Sequence, residues 1–128
     1  MTGMKPINWL RKFAERGNRG FPVGTLAFYG PDNRFASKAV FGFIEVHGAE
    51  PILHKWETDD GGKDLRYDVR LQRAWIQLIE QQKIRSLAYT ETIVGCPHEE
   101  GIDYSPGESC PRCPYWAGRR RPIIDDLR

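Results

Sequence analysis

A chain of 128 residues, 40% hydrophobic and 28% charged, has the size and composition of one folded domain. That excludes a disordered segment and leaves little room for two independent units. A net charge of +2 names no polyanionic partner, and no stretch approaches the roughly 20 apolar residues that a membrane-spanning helix requires.

The charge is unevenly spread. Residues 1 to 20 carry five basic side chains against one acidic, and residues 45 to 68 carry seven acidic against three basic. Met1 to Pro6 offers no apolar signal core, and three cysteines cannot pair off completely. Together these features point to a reducing, cytoplasmic setting.

Pro6 suits the first turn of a helix, and Ile7, Leu10, Phe13 and Ala14 recur at helical spacing until Gly17. This short helix carries Arg11, Lys12 and Arg16 on its outer side and is expected to dock on a sheet, with its charges solvated. Val23 to Tyr29 and Lys38 to Val46 are aromatic and β-branched, with the turn signal Gly30-Pro31-Asp32-Asn33-Arg34 between them. They read as an antiparallel pair. The second segment is apolar on both faces and therefore belongs in the sheet interior, with Gly42 marking a bulge or a close packing point.

Ile52 to Glu57 reads as a third strand, closed by Asp59-Asp60-Gly61-Gly62. Asp64 or Asp68 can then cap the longest helix, about Asp68 to Lys83, whose stripe of Leu71, Ala74, Trp75, Leu78 and Ile79 is core. A fourth strand from Arg85 to about Thr90 leads directly into Cys96. The tail from Gly118 to Arg128 is short and basic near its start.

The chemistry concentrates in Cys96 to Trp116. All three cysteines and one of three histidines occur there, as Cys-x-His, an eleven-residue loop, and Cys-x-x-Cys. Two close ligand pairs separated by a loop build a tetrahedral site of sulfur and nitrogen, so Cys96, His98, Cys110 and Cys113 are assigned to one structural zinc with no open position. Proline after each cysteine restricts the loop before metal arrives. Pro114 also prevents the glycine turn common after the second cysteine of a zinc knuckle, which predicts a variant of that motif. Arg112, Tyr115, Trp116, Arg119, Arg120 and Arg121 cluster around the last ligand as partner contacts, while Glu99, Glu100, Asp103 and Glu108 would repel phosphate. The partner class therefore stays open between protein and nucleic acid. His47, His54 and Glu57 are a weaker candidate set for a second metal.

Three resemblances bear on this pattern. His98-Glu99-Glu100 with Cys110-Pro111-Arg112-Cys113 resembles the zinc signature of cytidine and adenosine deaminases. Cys96 would fill the position such an enzyme leaves to water, however, and eleven residues cannot hold the strand between that family's two helices. The order of three meandering strands, a helix and a fourth strand resembles the opening of RNase H-like folds. That resemblance implies a nuclease with divalent metal held by Asp32, Asp68 and Glu91, although the first strand lacks a carboxylate. Finally, Gly95-Cys96-Pro97-His98-Glu99-Glu100-Gly101-Ile102-Asp103-Tyr104 with Cys110-Pro111-Arg112-Cys113-Pro114-Tyr115-Trp116 resembles a family of small bacterial zinc-binding proteins, implying a bacterial, cytoplasmic protein and no particular activity.

The expected architecture is a single α+β domain over 1–128: a basic N-terminal helix within 1–20, an α+β core over 21–94, a zinc loop over 95–117 and a basic tail over 118–128. Its sheet is expected to be mainly antiparallel, with about four strands and one long helix on a face. The expected function is a zinc-structured binding or accessory module, with the nuclease as the alternative, and the sequence leaves catalytic activity undecided.

Overall fold

The computed structural model describes residues 4–60 and 62–117. Two helices and four strands follow one another as α1 (Pro6–Glu15), β1 (Val23–Tyr29), β2 (Lys38–Ile44), β3 (Ile52–Glu57), α2 (Val69–Gln81) and β4 (Ser86–Ile93), with 3-10 turns at Leu65–Tyr67 and Pro114–Trp116. The strands form one sheet in the order β3-β2-β1-β4. β1, β2 and β3 make the expected antiparallel meander, from Val23 opposite Ile44 to Lys38 opposite Glu57.

β4 is the exception in a sheet expected to be mainly antiparallel. It lies parallel to β1, pairing Val23 with Ser86 and Leu26 with Tyr89, so the sheet is mixed. The reason is the connection: a strand reached through a helix that packs across one face re-enters running in its original direction. β4 also continues to Ile93, three residues beyond the expected Thr90. The irregularity assigned to Gly42 falls instead between Leu26 and Phe28 on β1, opposite β4. Gly42 is the close packing point, because a Cβ there would stand 2.8 Å from Leu53 Cδ2.

α1 and α2 share one face of the sheet. Leu10, Trp75 and Ile79 enter a core with Leu26, Phe28, Phe41, Phe43 and Leu87, and Trp75 is fully buried. Trp75 meets Phe28 and Trp56 edge-on, at centroid distances of 5.5 and 6.0 Å. It is a packing anchor, as its place in the stripe implied. α2 has thirteen residues against ten in α1, so the helical layer is a pair. Asp68 caps α2 by accepting from the amides of Arg70 and Leu71. α1 packs against α2 and β4, and Arg11 clasps Glu91 of β4 with contacts of 2.6 and 2.7 Å.

Arg66 ties the remaining pieces together. Its guanidinium, mostly buried, donates to the Asp64 carboxylate and to the carbonyls of Glu91 and Arg34. Burial by itself would raise the Asp64 carboxyl; the Arg66 guanidinium and the Ala36 and Arg66 amides reverse this and hold it below the usual carboxylate range.

The opposite face of the sheet carries no helix among the described residues. Alternation places Thr25, Ala27, Val40, Gly42 and Leu53 on that face, where they line a broad groove.

Candidate metal centre

The backbone pairing of β1 with β4 does not stop at Ile93. Val94 donates to the Phe28 carbonyl and Gly30 to the Gly95 carbonyl, each at 2.9 Å, which delivers Cys96 to the end of β1. Gly30 fits there because any Cβ would collide with the Phe35 carbonyl.

After Cys96 the loop folds back twice. Glu99 to Tyr104 closes through Asp103 N–H to Glu99 O and Gly101 N–H to Tyr104 O, with Gly101 at φ 84°. A second turn at Gly107, φ 81°, is held by its own N–H donating to Glu100 Oε2. The chain then returns through Cys110 and Cys113. Pro114 starts a 3-10 turn that runs to Trp116.

These turns bring the four expected ligands together. One ligand atom from each of Cys96, His98, Cys110 and Cys113 lies within 4.8 Å of the others, with the three cysteines buried and His98 half-buried. His98 Nδ1 stands 3.2, 3.4 and 3.5 Å from the sulfurs of Cys96, Cys110 and Cys113. A tetrahedral zinc with Zn–S near 2.3 Å and Zn–N near 2.0 Å places sulfur and nitrogen about 3.5 Å apart, so the cluster has the dimensions of such a site. The cluster offers four donors, and Cys96 stands as a fourth where a deaminase site would leave room for water.

The electrostatics favour a cation. Burial, and then the neighbouring thiols, push the Cys113 thiol well above its ordinary value. Burial also raises Cys96, opposed by the His98 N–H that donates to its sulfur at 3.2 Å. A divalent ion relieves both costs at once by replacing thiol protons with its own charge.

Four contacts anchor this centre to the sheet. Besides the β4 extension, Lys38 Nζ donates to Pro97 O at 3.1 Å, Lys55 pairs with Glu99 at 2.8 Å, and Trp116 Nε1 donates to Gly30 O at 2.8 Å. The two lysines were not singled out in the sequence. Lys38 had a visible signal, a lone cation at the start of a strand that is apolar on both faces.

The expected partner contacts divide. Arg112 lies against His98 with its Nη1 3.3 Å from Nε2, and Tyr115 meets Trp116 edge-on at 4.9 Å. Trp116 is turned inward as a latch rather than outward as a stacking platform. Arg119, Arg120 and Arg121, with the rest of the 118–128 tail, lie outside the described residues.

The carboxylates assigned to a nuclease are occupied separately. Asp32 accepts from Arg34, Asp68 caps α2 and pairs with Lys63 at 3.1 Å, and Glu91 is clasped by Arg11. Among the described residues, the cysteine–histidine cluster is the one group of His, Cys, Asp and Glu placed to share an ion. His47 packs on Phe21, and His54 lies between Phe43 and Trp56, so neither is drawn into a second cluster. Among the described residues the nuclease alternative thus has no shared carboxylate site.

Among the described residues no helix is long and apolar enough to cross a membrane. Comparison with family models, curated proteins and solved structures returns no match. Function therefore rests on the geometry of the site.

Proposed function

We propose that the chain is a zinc-structured binding module, in which the metal has a structural role and the loop it fixes faces a protein partner. The observation that carries this reading is the four-ligand cluster, complete without water and joined to the sheet through Lys38, Lys55 and Trp116. A closed Cys3His shell leaves no position for substrate, so its contribution is to hold backbone in place.

The surface around the shell favours protein over nucleic acid. A groove of about 580 Å3 beside it is lined by six acids, Asp32, Glu57, Asp59, Asp60, Glu99 and Asp103, against four cations, Arg34, Lys38, Lys63 and Arg112. Such a lining repels phosphate and suits a basic protein face. Ile102, 76% exposed at the tip of the first turn, adds an apolar contact point.

Metal analysis of purified protein tests the first half, with one zinc per chain expected and loss of zinc in Cys110→Ser. Retention of full zinc and stability by that variant ends the structural-site reading. The second half is tested with polylysine and duplex DNA as probes. Salt-sensitive binding of polylysine is expected, and salt-sensitive binding of DNA in its place would make the partner a nucleic acid.

A further inference from the structure

We propose that the open face of the sheet binds a small amphipathic carboxylate, with its apolar body on β1, β2 and β3 and its head at Lys38. The groove measures about 620 Å3, within the roughly 300–1,000 Å3 of sites that hold small ligands. This site adjoins the metal centre: Cys96 and His98 stand in its wall, and Lys38 and Lys55 serve both.

Its lining is graded along the strands. Val23, Ile44 and Pro51 make one end, where β1 starts beside the end of β2. Ala27, Val40 and Leu53 form the middle. Polar groups gather at the far end, where Lys38, Lys55 and the metal loop meet. A ligand matching this gradient is apolar for most of its length and charged at one tip.

Lys38 sets the sign of that charge. Its side chain is 6% exposed, so water cannot serve its ammonium freely. Three donors are present on that group. One reaches Pro97 O at 3.1 Å, Glu57 forms an ion pair with the ammonium at 3.9 Å without a hydrogen bond, and the Tyr29 ring centroid is 6.0 Å away, so donors remain although the charge has a partner. The acids nearest the mouth are already engaged: Glu99 takes Lys55, and Glu100 accepts from Gly107. A buried cation with donors to spare at the end of an apolar trough is the complement of a carboxylate on a hydrocarbon.

Calorimetric titration of the zinc-loaded full chain with decanoate, decanol and decylamine tests the proposal. Decanoate is expected to bind at least tenfold more tightly than decanol, and decylammonium not at all. In Lys38→Met that preference disappears, while Leu53→Glu, on the exposed wall, weakens both ligands with circular dichroism and zinc content unchanged. Should Lys38→Met fail to fold, the ratio measured on the unaltered chain still decides. Equal affinity for decanoate and decanol, or no binding of decanoate, overturns the proposal. So does a dimer in sedimentation that Leu53→Glu dissociates, because a second copy then covers the face.

Discussion

The helical side of the sheet and the metal loop are stabilised by different physics. On the helical side Trp75, Phe28, Phe41, Leu10 and Ile79 are almost wholly buried, and stability comes from apolar area withdrawn from water. The loop from Cys96 to Trp116 has little apolar burial beyond its cysteines, packed against partly buried Tyr104 and Trp116. On the proposed zinc reading its order depends on a metal, together with the polar contacts of Lys38, Lys55 and Trp116. A small domain can therefore contain one region that folds by area and another that folds by coordination, and the two can be broken separately.

Removing the metal should have the largest effect, confined to one side. Structural zinc contributes about 10 kcal/mol or more to the segment that binds it. With a chelator, hydrogen exchange should lose protection across residues 96–117 while β1, β2 and β3 keep theirs; simultaneous loss in both regions would show that they fold as one. Because burial raises the Cys96 and Cys113 thiols, zinc must displace protons to bind. Its affinity should fall as pH is lowered, as measured by competition with a chromophoric chelator.

Trp75→Ala inverts the experiment. Emptying that site should cost about 3–5 kcal/mol in urea unfolding, as large-to-small core substitutions do, while the folded fraction still holds its zinc. Asp64→Asn is a smaller break, about 2 kcal/mol, because it leaves the Arg66 guanidinium without its charged partner. Its sign with pH is fixed: the Asp64 carboxyl is depressed in the folded protein, so its contribution is present above the unfolded value near pH 4 and lost as pH falls through the lower folded value. Urea midpoints at pH 7 and pH 3 should converge more closely in the variant than in the parent.

The smallest change crosses the boundary between the regions. Trp116→Phe keeps an aromatic ring, though a smaller one, and deletes the 2.8 Å bond to Gly30 O, for about 1 kcal/mol. If the latch serves only the loop, exchange should quicken at residues 113–117 and not at Phe28.

The ligands were legible in the sequence because a metal shell depends on residue type and spacing, both written locally. β1 and β3 were legible for the same reason, whereas the cap of α2 was narrowed only to Asp64 or Asp68, and the structure assigns it to Asp68. The direction of β4 was not, since nothing within Ser86 to Ile93 records whether its neighbour runs parallel. β2 was correctly read as apolar on both faces and internal to the sheet. An apolar face does not say what covers it, however, so the open groove beneath Lys38 became visible only with the sheet assembled. The nuclease carboxylates were individually plausible. Their separate ties to Arg34, Lys63 and Arg11 depend on packing between elements distant in the chain.

The register of β1 with β4 has a consequence for how the chain is made. The sheet is complete at Ile93, and every metal ligand comes after it, between residues 96 and 113. A ribosome releasing the chain from its N-terminus can thus deliver all four strands before the first cysteine emerges, which on the proposed reading makes metal capture a late event on a preformed edge. On that reading, chains made without zinc are expected to keep the sheet and to lack only the closed loop.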